Sequence, residues 1–150
     1  MLAHEIGQGN GRYAYTCAMS LTPMLTVTDV EATSSWLQTI FALTSVHGGA
    51  EFDMLADSEG RVVMWLHRHD ADHDHPQTTG LDMSRVGAGV VFYLQTDDIE
   101  ATNTRAVSLG ATIVEELHLN PLAHHREFTV KSADGYLFAA HTALLSEPSS

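Results

Sequence analysis

The chain has 150 residues, 44% of them hydrophobic, with 7 basic against 19 acidic side chains and a formal charge of −12. That length fits one compact domain, the charge repels phosphate backbones and argues against nucleic acid, and no apolar run approaches the ~18 residues of a membrane span. The N-terminus shows no basic stretch followed by an apolar one, and the single cysteine, Cys17, has no internal disulfide partner, which together fit a cytoplasmic protein.

Residues 1–20 open with Gly7, Gly9 and Gly11 and then alternate weakly through Tyr13, Tyr15 and Cys17. They read as an N-terminal arm, with an extra edge strand as the other reading. The glycines follow no strand, so they are not a phosphate loop. Leu21 to Val27 alternates in strand fashion, and Pro23, which has no amide donor, makes that strand start late or lie at an edge. Thr28 or Asp29 caps a helix carrying Val30, Trp36, Leu37, Ile40 and Phe41. Phe52 to Leu55 and Arg61 to His67 are predicted strands around the hairpin turn Asp57-Ser58-Glu59-Gly60. The pattern stops over a linker, residues 68–88. Around its start lie His67, His69, His73 and His75 with Asp70, Asp72 and Asp74. Ligand types on a loop without a fixed scaffold bind metal weakly, so the run reads first as a solvated linker and second as a metal site.

Val90 to Gln95 is the next predicted strand. Asp97 or Asp98 caps a helix to Leu109, and Gly110 is its left-handed stop. Thr112 to Leu117 reads as a strand, Leu119 to His124 as a loop, and Glu127 to Val130 as a strand. A turn at Ala133-Asp134-Gly135 leads to the last strand, Tyr136 to His141, and residues 144–150 read as a disordered tail. The first plan has thus returned. Thr28-Asp29-Val30-Glu31-Ala32-Thr33 reappears as Asp97-Asp98-Ile99-Glu100-Ala101-Thr102, and Ser58-Glu59-Gly60 as Ala133-Asp134-Gly135. The expected class is α+β, with two tandem βαβββ modules (21–67 and 89–143) in one domain, because neither half buries enough surface alone. Strands outnumber helices and hairpins join most of them, which excludes a TIM barrel or a doubly wound sheet.

Two βαβββ modules, each opening with strand-Asp-(Val/Ile)-Glu-Ala and closing with turn-Gly-strand, resemble the vicinal oxygen chelate superfamily of glyoxalases, extradiol dioxygenases, fosfomycin-resistance enzymes and bleomycin-resistance proteins. The most specific stretch is His125-Arg126-Glu127-Phe128-Thr129-Val130 through Asp134-Gly135-Tyr136-Leu137, with Ser132-Ala133 where the family often has Asp-Pro. The resemblance implies modules curled into a mixed-sheet cup. In catalytic members the cup holds one divalent metal, on ligands from the first and last strand of each module. Carried onto this chain, those positions are Thr22, Met64, Val91 and Ala139. None offers the imidazole or carboxylate that such an ion requires. The neighbours Leu21, Pro23, Val63, Trp65, Val90, Phe92, Phe138 and Ala140 offer none either, so the expected set of metal ligands is empty.

The cavity is then expected to be apolar, lined by Met64, Val91 and Ala139 and by Leu66, Tyr93 and His141. Trp36, Trp65, Phe92 and Tyr93 either stack on a ligand or belong to the core. His141 is the one candidate for a general base or ligand hydrogen bond, its other reading being a strand-end histidine in solvent. Arg126 either grips an anion or forms a surface pair with Glu127. His124 and His125 lie where the family's cavity rim falls. With no metal ligands, the resemblance implies a cofactor-free protein of the bleomycin-resistance type, a homodimer binding a small, aromatic molecule such as a drug or antibiotic. A metal-dependent lyase, isomerase or dioxygenase with a site rebuilt from His67, His124, His125 or His141 is the alternative. A regulatory or structural partner without ligand is a third.

Overall fold

The computed structural model describes residues 20–69 and 80–145. Residues 1–19 of the arm expected over 1–20 (with Cys17), the histidine-rich run from Asp70 onward and residues 146–150 lie outside the described residues. The first module consists of β1 (Met24–Val27), α1 (Val30–Phe41), β2 (Thr44–Ser45), β3 (Phe52–Ala56) and β4 (Val62–Arg68). The second consists of β5 (Val91–Gln95), α2 (Ile99–Ser108), β6 (Thr112–Asn120), β7 (His125–Lys131) and β8 (Leu137–His141). Each makes a four-stranded mixed sheet, in the orders β1-β4-β3-β2 and β5-β8-β7-β6. The α+β class with two βαβββ modules is the observed architecture.

The recurring Asp-(Val/Ile)-Glu-Ala has one local cause. Asp29 and Asp98 are the N-caps, and each carboxylate accepts the N–H three residues on, from Ala32 and Ala101, both at 2.9 Å. An orphan donor of the first turn is thereby satisfied twice over in the same way. Gly110 ends the second helix at φ 70°. The first ends at Ala42, a non-glycine residue at φ 55°. Pro23 has both expected effects, since β1 begins at Met24 and lies at a sheet edge.

Boundaries differ from expectation where side-chain pairing adds to periodicity. β6 runs on to Asn120 and β7 starts at His125, so the loop expected at 119–124 is a tight hairpin end. β2 is a two-residue strand on β3 that pairs Thr44 with Ala56; so short a segment has no period to read. Arg68 belongs to β4 rather than to the linker.

Which face each strand turns to α1 follows from Asp53. Its carboxylate accepts the Ser34 hydroxyl of α1 at 2.6 Å, and its β4 partner is Leu66. Leu25, Val27, Leu55, Met64 and Leu66 are therefore on the helix side, all at most 3% exposed. Of the two residues expected in the cup wall, Met64 packs on the helix side and also lines the junction cavity, whereas Leu66 lines no part of it. The register between β3 and β4 shifts at Leu55/Ala56, because Val62 opposes Ala56 and Met64 opposes Leu55. Val63 is the extra residue of a bulge, which turns the rest of the strand over. The β7–β8 hairpin runs from Lys131↔Leu137 to Glu127↔His141 without a shift. Counting from the turn glycines thus misaligns the two modules by one residue. Trp65, opposite Met24, is the true counterpart of Ala139, opposite Tyr93.

The modules join through their helix sides. Phe138, fully buried, receives the edge of Trp36 at 5.7 Å, packs near Phe41 at 5.9 Å and stacks with Phe92 at 5.2 Å. Trp36 is thus a packing residue of the shared core. Tyr136 donates its hydroxyl to the Thr26 carbonyl at 2.9 Å, and the Arg105 guanidinium donates to the Ile40 carbonyl at 3.0 Å. Thr28 donates its N–H to Asp134 at 3.0 Å, with its hydroxyl on the other carboxylate oxygen. These bonds are distant in sequence and tie the duplicated halves into one body.

Candidate functional site

Two places on this frame have the shape or chemistry of a site. The first is a cavity of about 670 Å³ at the junction of the modules. Its wall is built from the C-terminal end of α1 with Ala42 and Leu43, the Asp57-Ser58 turn, Val63 and Met64 of β4, all of β5 and the start of α2. The apolar surface comes from Phe41, Leu43, Val63, Val91, Phe92 and Tyr93. Three acidic residues, Asp57, Asp97 and Asp98, line it, and among the described residues no Lys, Arg or His does. Asp57 is already engaged. The N–H of Arg61 first, then its guanidinium and the N–H of Glu59, hold that carboxyl below its usual range. Asp98 has one oxygen on its helix cap, which leaves Asp97 and the other oxygen of Asp98 to set the field.

The second is the face of the second sheet turned away from α2. Pairing puts Val91, Tyr93 and Gln95 of β5 on it with Leu137, Ala139 and His141 of β8, then Glu127 and Thr129 of β7. His125 and Asn120 follow at the hairpin end, and Glu115 and His118 on β6. Register shifts on either side of Glu115 bring it and His118 to one face despite their odd spacing. Glu127 is the buried centre, 5% exposed. Burial alone raises a carboxyl's pKa. The bonds from His125 Nε2 at 2.5 Å and Asn120 Nδ2 at 2.8 Å, with the nearby His118, outweigh it and keep Glu127 below the usual range. The His125 and His141 rings lie 4.9 Å apart, and Tyr93 meets His141 at 5.8 Å.

The sequence-predicted residues divide among several environments. Val91 and Tyr93 line the junction cavity, and Met64 touches it from the core, whereas Leu66 faces α1 and is fully buried. Ala139 and His141 lie on the same face as Tyr93 but outside the cavity lining. His141 Nδ1 donates to the Thr142 carbonyl at 2.8 Å, and His67 makes the same bond to the Arg68 carbonyl at 2.8 Å. Trp65 is 38% exposed on the matching face of the first sheet, beside Phe52 at 6.1 Å. His124 occupies the β6–β7 turn at φ 53°. Arg126 points to the other side of β7 and pairs with Glu100 of α2 at 2.5 Å. Its partner is Glu100 rather than Glu127. The functional reading missed Glu115, His118 and Glu127, although the alternation of Phe128 and Val130 with Glu127 and Thr129 already separates a polar face from an apolar one.

At the positions where catalytic members of the resembled superfamily hold a metal, this chain has Thr22, Trp65 (in place of Met64), Val91 and Ala139. A hydroxyl, an indole and two hydrocarbon side chains do not make a divalent site, so no chemistry is routed through an ion there.

The fold is shared widely. TioX from Micromonospora sp. ML1 superposes with a TM-score of 0.60 at 18% identity, over 87% of this chain and 100% of its own. A protein of unknown function from Agrobacterium tumefaciens str. C58 gives 0.68 at 16% identity, over 87% and 98%. FosX, a genomically encoded fosfomycin resistance protein from Listeria monocytogenes, gives 0.59 at 17%, over 85% and 95%. No curated protein sequence matches the chain. The family model for the Glyoxalase/Bleomycin resistance protein/Dioxygenase superfamily matches residues 20–140, and the chain belongs to that superfamily.

Proposed function

We propose that the protein binds a small, flat, neutral or cationic organic molecule in the junction cavity, and does so without a metal. The observation that carries this reading is the lining: an apolar wall with an exposed aromatic ring, Tyr93, three carboxylates and, among the described residues, no cationic side chain. Such a wall favours an aromatic body and a positive group, and leaves an anion without a partner. The ligand-free character of the four superfamily metal positions supports the same reading. TioX and FosX share the fold alone at these identities, so they do not name the ligand.

We also infer a homodimer. Trp65, Val91 and Tyr93 are 38%, 43% and 59% exposed, and a second copy packed over these three side chains, leaving the β6–β7 end of the second sheet open, removes apolar surface from water.

The test is calorimetric titration with matched planar aromatic amines, neutral analogues and carboxylates. Cationic members should bind at least ~10-fold more tightly than anionic ones, about one charge–charge interaction at partial exposure. Tyr93→Ala and Asp97→Asn should each weaken the cationic series. Preference for the carboxylates would overturn the assignment. The enzyme reading has one observation in its favour, the approach of His125 and His141 to buried Glu127. It would be supported instead if turnover of any tested substrate depended on His141.

A further inference from the structure

We propose that Glu115, His118 and Glu127 form a binding site for a borderline divalent cation of the Zn²⁺ type, on the second sheet and apart from the junction cavity. One ligand atom from each converges so that all three lie within 4.8 Å of one another. None of the three lines the cavity, and none occupies a superfamily metal position.

His118 sets the chemistry of the cluster. Its Nδ1 lies 2.9 Å from the Glu116 carbonyl oxygen. A carbonyl only accepts, so Nδ1 carries the ring proton, and in the neutral ring Nε2 presents a lone pair. That lone pair faces Glu115 Oε1 at 3.5 Å and Glu127 Oε1 at 3.8 Å. Both separations are too long for hydrogen bonds. With the ring neutral, three electron-rich atoms converge, a set that a cation held among them would neutralise. Bonds of 2.0–2.2 Å to a tetrahedral ion imply ligand separations of ~3.3–3.6 Å, close to both His118 separations, while the gap between the carboxylates, within 4.8 Å, closes by about 1 Å at most.

The supporting groups are of the right kind. A ligating imidazole that donates its other N–H to a backbone carbonyl has its tautomer and direction fixed. Glu127 is held by Asn120 on one oxygen and His125 on the other. Glu115 accepts the Thr129 hydroxyl at 3.3 Å. The paired strands β6 and β7 supply a fixed scaffold, unlike a loop. Glu115 and His118 are half open to water, which leaves further coordination positions to solvent, the pattern of an open site. Imidazole among the ligands selects against Mg²⁺ and Ca²⁺, which prefer all-oxygen shells.

The experiment titrates Zn²⁺ into the full chain, made without a histidine tag and stripped with a chelator. About one ion per chain should bind, and millimolar Mg²⁺ should not compete. H118A, E127Q and E115Q should each weaken binding at least ~10-fold; E115Q alters an exposed residue, so it keeps the test valid if E127Q unfolds. A variant with His69, His73 and His75 replaced by alanine should bind as before. The His118 Nε2 nitrogen resonance should shift on adding Zn²⁺. No stoichiometric binding, unchanged affinity in H118A and E115Q, loss of binding in the triple-alanine variant, or equal competition by Mg²⁺ would each overturn the proposal.

Discussion

Single residues anchor the first module through one buried carboxylate. Asp53 is 2% exposed and takes hydrogen bonds from the hydroxyls of Ser34 and Ser45 and the N–H groups of Gly48 and Met54. Burial raises its pKa, and those four donors together lower it further, so the carboxyl sits below its usual range. With the folded value below the unfolded one of ~3.9, its contribution to stability is complete above about pH 5 and is lost as pH falls through the folded value. Asp53→Asn should cost about 1–3 kcal/mol at pH 7, since it weakens the acceptor in a buried network, and should flatten the acid limb of a stability–pH curve. Urea unfolding at pH 7 and pH 3 checks both. Tyr136 acts likewise across the modules. Burial pushes its phenol up to about 12, so it remains a donor to Thr26 through the ordinary pH range. Tyr136→Phe should remove about 1 kcal/mol without a change of fold, visible as a lower urea midpoint with the same slope.

At the scale of elements, both helices begin for reasons written in the chain and only one ends that way. Gly110 stops α2 with no steric cost, whereas α1 stops at Ala42, whose Cβ crowds the left-handed region. Ala42→Gly should raise stability by about 0.5–1 kcal/mol in thermal unfolding, as the strain relieved exceeds the added freedom of the unfolded chain. Gly87→Ala should do the reverse, because a Cβ there would lie 2.5 Å from the Gly135 carbonyl oxygen. The capping acids, the turn glycines and the alternation of β4, β5 and β8 made the two-module plan readable before any coordinates. The register of β4 was not readable in the sequence, because the bulge at Val63 has no signature in composition yet turns over the side chains on one side of it relative to the other. The polar face of the second sheet was missed for a related reason. His118 and Glu115 come together only through register shifts that no periodic template contains.

As a whole molecule, the protein is a pair of sheets joined back to helix, with its outer faces partly apolar and a net charge of −12. If the proposed homodimer forms, light scattering should give twice the chain mass of 16.3 kDa, and Trp65→Glu should return the monomer by placing charge in the proposed interface. The sequence pI is about 5.0. Turbidity should therefore rise sharply from pH 7.5 to pH 5, as self-repulsion vanishes. The central claim is that small-molecule binding at the module junction requires no metal. The direct measurement is the affinity of one cationic aromatic ligand for the protein before and after exhaustive chelation, with metal content assayed in both samples. The affinity should be the same in the two, even where a bound ion is removed from the Glu115–His118–Glu127 cluster. Loss of binding on chelation, restored by adding back a divalent ion, would contradict the account.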